Sequence, residues 1–265
     1  MMKRALACAA VLALTLSPAA AQQKSPYADY QKKTTEAAPL ELFELVGEEL
    51  WKKKQGPKSA SLEQCDLGQG PGKLKGAYAR LPRYFKDTGE VMDLESRLVH
   101  CMMSLQGRSR EEILKRPFGN ADKPSELEYL SMYVARQSNG FKIDPGTRHP
   151  KEKEAYALGE KLFSWRTGLW DFSCTSCHGE EGKRIRASEL PQLDDPKQVS
   201  PLIATWPAYR VSTSSLITLQ WRMNNCFQQM RTAEPIFGSE TVNSLITYLT
   251  VKSKGATYSG PGIKR

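Results

Sequence analysis

Cys174-Thr175-Ser176-Cys177-His178 decides how this chain is read. The stretch is C-x-x-C-H, the attachment motif of a c-type haem. Its two thiols add across the haem vinyl groups, and the adjacent imidazole becomes the proximal iron ligand. The spacing lets both sulfurs reach one porphyrin edge while His178 turns beneath the iron. Half of a zinc site is the plainer alternative, but it needs a second Cys/His pair at ligand spacing. The only histidines are His100, His149 and His178, and they supply no such pair.

The N-terminus fits a haem protein made for export. Lys3 and Arg4 precede an apolar run from Ala5 to Leu16, and Ser17-Pro18-Ala19-Ala20-Ala21 follows. This is the pattern of a secretory leader over residues 1–21. The run is too short to span a bilayer, so no membrane span is expected, and Cys8 leaves with the leader. The expected compartment is the periplasm, where disulfides persist. Losing Lys3 and Arg4 takes the formal net charge from +9 to +7. A basic chain favours anionic partners. Its cations are scattered and the protein is exported, so a small anion or an acidic protein is expected and nucleic acid is not.

Set against each other, the two halves of the chain repeat. Gly47-Glu48-Glu49-Leu50-Trp51 resembles Gly159-Glu160-Lys161-Leu162-Phe163. Eighteen residues on from each glycine stands a cysteine, Cys65 or Cys177, and five further a glycine, Gly70 or Gly182. Arg97–Cys101 then parallels Arg222–Cys226, and Tyr133–Gly140 parallels Tyr248–Gly255. Apolar residues at helical spacing, such as Leu94, Leu98, Cys101 and Leu105 or Leu216, Leu219, Met223, Cys226 and Met230, mark helices. The expectation is a mainly α protein of two tandem cytochrome c-like modules, 22–145 and 146–265. A linker is expected near Gly140 to Pro150.

The first module is expected to lack haem. Leu62, Cys65 and Asp66 stand opposite Cys174, Cys177 and His178. Its two remaining thiols, Cys65 and Cys101, are expected to form a disulfide, closing a loop of about 36 residues worth roughly 3–4 kcal/mol. That requires the module to contract until the Cα atoms lie within about 7 Å.

Cys226 is then the odd thiol of the mature chain. It is either a buried helix residue or a ligand of the haem; Met223 and Met230 are alternative ligands. Arg222 lies one helical turn before it, where a guanidinium favours thiolate and offers a fork to a sulfur oxyanion. Lys183, Arg184 and Arg186 follow the haem motif as a solvated loop or a positive funnel.

Cys174–His178, Arg222-x-x-x-Cys226 and the duplication together resemble the SoxA family, the haem subunits of the periplasmic thiosulfate-oxidising Sox complex. The resemblance covers nearly the whole mature chain and implies one covalently bound c-type haem, with the disulfide in place of a first one. It implies Cys226 as distal iron ligand and catalytic sulfur, open to persulfide formation, and Arg222 as substrate-binding residue. It also implies a heterodimer with a small monohaem cytochrome, SoxX, that conjugates thiosulfate to a cysteine of the carrier SoxYZ. Three other readings remain open: an electron-transfer cytochrome with Met223 or Met230 as ligand, a thiosulfate dehydrogenase forming tetrathionate, and a docking subunit.

Overall fold

The computed structural model describes residues 40–120, 123–185 and 188–264; the leader expected over 1–21 and Arg186 lie outside them. The first half contains α1 (Leu40–Lys52), a hairpin β1 (Arg83–Phe85) and β2 (Glu90–Met92), then α2 (Leu94–Gln106), α3 (Arg110–Leu114) and α4 (Glu126–Arg136). The second runs α5 (Pro150–Ser164), α6 (Cys174–His178), β3 (Arg184–Ile185), β4 (Ser188–Glu189) and α7 (Pro196–Ile203). It continues through β5 (Ala208–Arg210), β6 (Ser215–Ile217), α8 (Leu219–Gln229), α9 (Glu240–Lys252) and β7 (Gly262–Lys264). No described strand exceeds three residues, so helices carry the fold.

Local chemistry starts the helices where the sequence places them. Asp93 caps α2 through Ser96 N, and Thr218 caps α8 through Trp221 N. Ser125 and Glu128 form a reciprocal capping box on α4, satisfying backbone donors that a helix start leaves orphaned. Pro150 opens α5, at a position where its missing N–H costs nothing.

The repeat is physical. A Cβ on Gly47 would collide with the Tyr129 carbonyl and the Tyr133 side chain of α4; one on Gly159 would collide with the Ser244 carbonyl and the Tyr248 side chain of α9. Only glycine lets these backbones cross so closely. One turn later Trp51 meets Tyr133 at 6.3 Å between ring centroids, and Phe163 meets Tyr248 at 5.3 Å. Leu81-Pro82-Arg83-Tyr84 leads into the β1–β2 hairpin as Trp206-Pro207-Ala208-Tyr209 leads into β5–β6. Each half has its own core, one around Leu62, Leu98, Met102 and Leu130, the other around Phe163, Trp206, Leu245 and Ile246.

The ends of the modules are woven together. Gly140 N donates to Tyr258 O (2.9 Å) and Gly255 N to Ile143 O (2.8 Å); Tyr258 N donates to Phe141 O (2.8 Å) and Ile143 N to Ala256 O (2.9 Å). The expected linker is therefore part of the seam, because its backbone groups need partners once buried. Deeper in the seam Gln220 Nε2 donates to Asp93 (3.0 Å) and Ser96 (3.1 Å), while Asn243 Oδ1 accepts from Asp93 N (3.1 Å).

Candidate functional site

A cavity of ≈ 610 Å³ opens in the second module. Cys174, Cys177, His178, Arg222, Met223 and Cys226 all line it. Most of its remaining wall is apolar, including Phe163, Trp206, Leu245 and Leu249. Its size lies within the roughly 300–1,000 Å³ of cofactor sites. Its lining contains three arginines, Arg184, Arg222 and Arg231, and no carboxylate among the described residues.

α6 carries the haem motif into this wall. Ser173 N donates to Ser176 Oγ (3.0 Å), which fixes the first turn. Nδ1 of His178 lies 2.8 Å from Pro191 O. A carbonyl can only accept, so Nδ1 carries the proton and Nε2 keeps its lone pair for a metal. This backbone support is the kind that orients metal-bound imidazoles. Burial lowers the His178 pKa; the Pro191 hydrogen bond opposes that and Arg222 reinforces it. The net effect favours the neutral ring that ligates iron. Tautomer, paired thiols and an apolar chamber together fit a c-type haem.

Cys174, Cys177 and Cys226 line this space together. Burial pushes Cys174 up to about 12, with Cys226 and then Cys177 adding to the effect. Burial also pushes Cys226 up, and Arg222 pulls it back only in part. The sequence reading, in which Arg222 favours thiolate, has the right sign for that one interaction, but desolvation outweighs it because the helix face turns inward. Arg222 Nη1 donates to Asn225 Oδ1 (3.1 Å), and no carboxylate pairs with it among the described residues.

The other histidines stay away. His149 caps α5 and stacks on Tyr84 at 3.6 Å, and His100 lies 3.3 Å from Asp87. Met223 and Met230 are both buried in the cavity wall, so the structure keeps both within the site. Lys183 pairs with Glu180 at 3.2 Å on the surface, whereas Arg184 reaches the cavity. Sequence reasoning missed the Pro191 carbonyl and Trp170 at the cavity edge. A carbonyl leaves no residue-type signal, and Trp170 is recognisable only from its nearness to the motif.

In the first module Cys65 and Cys101 are bonded as a disulfide, with Cα atoms 5.6 Å apart. Leu62 fills the position of Cys174 and is fully buried. Asp66, at the position of His178, accepts from Gly68 N (2.7 Å) and Gly70 N (2.8 Å) and closes its own loop.

These geometries have known counterparts. The profile of the SoxA/TsdA cytochrome c domain matches residues 46–143 and again 158–258. The L-cysteine S-thiosulfotransferase subunit SoxA of Hydrogenophilus thermoluteolus is 48% identical over 237 residues, 89% of this chain and 86% of that one. The protein of the same name from Hydrogenobacter thermophilus is 35% identical over 255 residues, 93% of this chain and 92% of its own. The crystal structure of SoxXA from P. pantotrophus superposes with a TM-score of 0.72 at 23% identity, covering 89% of this chain and 84% of that one, which is likeness of fold. With its cytochrome c domain matched twice and its Cys-x-x-Cys-His on the wall of a haem-sized chamber, the chain belongs to the SoxA family.

Proposed function

We propose that this chain is the catalytic subunit of a periplasmic enzyme that oxidatively joins thiosulfate to a cysteine of the carrier protein SoxYZ. Its heterodimer partner is the small monohaem cytochrome SoxX. One observation carries the reading: Cys226 and Arg222 stand on the same cavity wall as the haem motif, with no acidic side chain lining the chamber among the described residues. We assign residues 1–21 to the leader, 22–145 to a haem-free module and 146–265 to the haem module. The Cys65–Cys101 disulfide supports an oxidising compartment. Among the described residues no helix is long and apolar enough to cross a membrane.

Cys174 and Cys177 would hold one haem through thioether bonds, with His178 Nε2 and the Cys226 sulfur as iron ligands. When bound, the haem supplies a one-electron redox centre. The remaining chemistry belongs to side chains. The Arg222 fork pairs with the sulfonate oxygens of thiosulfate. The Cys226 thiolate forms a sulfur–sulfur bond to the outer sulfur of thiosulfate, and two electrons pass to a c-type cytochrome acceptor. The carrier thiolate then attacks that outer sulfur and expels the Cys226 thiolate, as in disulfide exchange. In sum, thiosulfate and the carrier thiol give the carrier S-thiosulfonate, one proton and two electrons. A persulfide at Cys226 extends the reacting sulfur into the cavity and follows the same exchange.

The test is carrier-dependent thiosulfate oxidation by the reconstituted heterodimer, with mass spectrometry of the carrier cysteine. One thiosulfonate adduct per carrier is expected. Tetrathionate formed without carrier would establish the dehydrogenase reading instead. Met223 and Met230 keep a His/Met electron carrier as the second reading. Paramagnetic resonance separates it, because His/thiolate and His/Met iron give distinct low-spin signals.

A further inference from the structure

α8 ends at Gln229, and two residues later Arg231 takes a left-handed backbone, φ 56°. The equivalent helix of the first module, α2, ends in the usual way, on Gly107 at φ 73°. Glycine enters this conformation freely, whereas a side chain makes it strained. The neighbouring loop fixes the turn. Leu169 N donates to Arg231 O (3.4 Å), and a Cβ on Gly168 would lie 2.8 Å from Met230 O. A non-glycine residue held in strain next to a site is a pointer to function.

The Arg231 side chain explains why strain is tolerated. Its guanidinium lies 5.6 Å from the ring centroid of Trp170, and both residues line the cavity that holds Cys226 and Arg222. No ion pair or side-chain hydrogen bond engages the guanidinium among the described residues. The aromatic face therefore holds a charged fork at the cavity mouth. Arg184, the third cation of the lining, has no ring beneath it among the described residues and stands exposed on a two-residue strand.

We propose that Arg231 is a second substrate-binding residue, which with Arg222 neutralises a small dianionic sulfur oxyanion entering the cavity. The inference rests on the function proposed above. Thiosulfate carries two negative charges, and Arg222 balances one. Moving the second charge into an apolar chamber is costly unless another cation meets it. Arg231 meets it from the mouth, with Trp170 as its shelf.

Arg231→Gly separates binding from folding, because glycine suits the left-handed turn. The haem-loaded heterodimer should keep its haem content and resonance spectrum, and its melting temperature should stay or rise. Its Kd for thiosulfate, measured calorimetrically on the oxidised protein without carrier, should rise roughly tenfold or more. The loss in turnover should appear mainly in KM. Arg231→Lys should recover part of the affinity, since it keeps the charge and loses the fork. A Kd within twofold of the parent overturns the proposal. An unchanged Kd with a shifted haem midpoint potential also overturns it and assigns Arg231 to a haem carboxylate. Arg222→Ala belongs in the same series. If it binds thiosulfate normally while Arg231→Gly does not, the Arg222 assignment fails and that of Arg231 stands.

Discussion

Arg97 and Arg222 occupy the same turn of equivalent helices, each one turn before a cysteine, and they live in opposite surroundings. Arg97 is 4% exposed. It donates to Asp66 O (2.7 Å), pairs with Asp87 at 2.8 Å and lies 4.0 Å over the Phe85 ring. Burial raises the Asp87 pKa, but Arg97 and His100 outweigh it and hold the carboxyl below its ordinary value. Arg222 has Asn225 as its hydrogen-bond partner and faces a cavity. The cysteines follow suit: Cys101 is tied to Cys65, while Cys226 lines the cavity beside the haem motif. One ancestral frame has thus been filled in two ways. In the first module every reactive group is spent on holding the fold together. In the second, Arg222 and Cys226 are left facing the cavity that the haem motif lines, and that is where chemistry can happen.

The sharpest way to break this contrast is Cys226→Ala. If the second module keeps its cysteine for chemistry, turnover should fall by at least roughly 10³-fold, as for other nucleophile deletions. Its visible and resonance spectra should change while the Cys65–Cys101 pairing persists. Unchanged spectra would move the iron ligand to Met223 or Met230. Replacing both Cys65 and Cys101 by alanine should do the reverse. Stability should drop by about 3–4 kcal/mol, the loop-closure value, with the spectra of the folded protein unaltered. A collapse of the haem spectrum in that double variant under folded conditions would show that the modules are one unit at the site.

The arginines give a crossed pair of tests. Arg222→Ala should lose about 2–4 kcal/mol of substrate and transition-state binding, with melting temperature and haem content unchanged. Arg97→Ala should lose about 2–3 kcal/mol of folding stability, because it takes the donor from the Asp66 carbonyl and leaves a void over the Phe85 ring, with kcat/KM intact. Kinetics and thermal melts on both variants check the pattern. If Arg97→Ala damages catalysis selectively, the first module is more than scaffold.

Much of this contrast was legible in the residues. The glycines Gly47 and Gly159 announce the repeat because a close helix crossing accepts no other residue. The loss of one thiol and one imidazole at Leu62 and Asp66 predicts the surviving pair, and the Cys65–Cys101 bond is present. What stayed hidden depends on burial and on backbone atoms. The tautomer of His178 hangs on a carbonyl contributed from Pro191, thirteen positions away. The net pKa of Cys226 follows desolvation, which residue spacing does not report. The interlocking of Gly140 and Ile143 with Gly255 and Tyr258 is made of backbone hydrogen bonds, so it reads in the sequence only as a linker.

The smallest expected effect tests the comparison away from the site. Glu128 in α4 and Asn243 in α9 are equivalent by the spacing that relates Tyr133 to Tyr248. Glu128 Oε2 accepts from Ser125 N (2.7 Å) and Gly119 N (3.0 Å), whereas Asn243, a neutral amide, donates through Nδ2 to Gly238 O (3.1 Å) and accepts at Oδ1 from Asp93 N (3.1 Å) across the seam. Burial pushes the Glu128 pKa from 4.5 up to about 7, although its backbone hydrogen bonds pull the other way. Below about pH 4.5 the carboxyl is protonated in both folded and unfolded chains. Between 4.5 and about 7 the folded protein keeps a proton that the unfolded chain has released, so stability falls as pH rises through that window and levels off above it. Glu128→Gln keeps the shape and the acceptor and removes the titration. Its stability relative to the parent should therefore grow between pH 4.5 and 7.5, by an amount on the order of 1–3 kcal/mol. Asp93 and Glu95 in the seam are also raised by burial, but they are common to both proteins and cancel in the difference. Thermal melts of the two proteins at both pH values are the measurement. A difference that stays constant or shrinks would mean that Glu128 is ionised in the folded state, and that burial at this position tolerates a charge in the first module where the second carries a neutral amide.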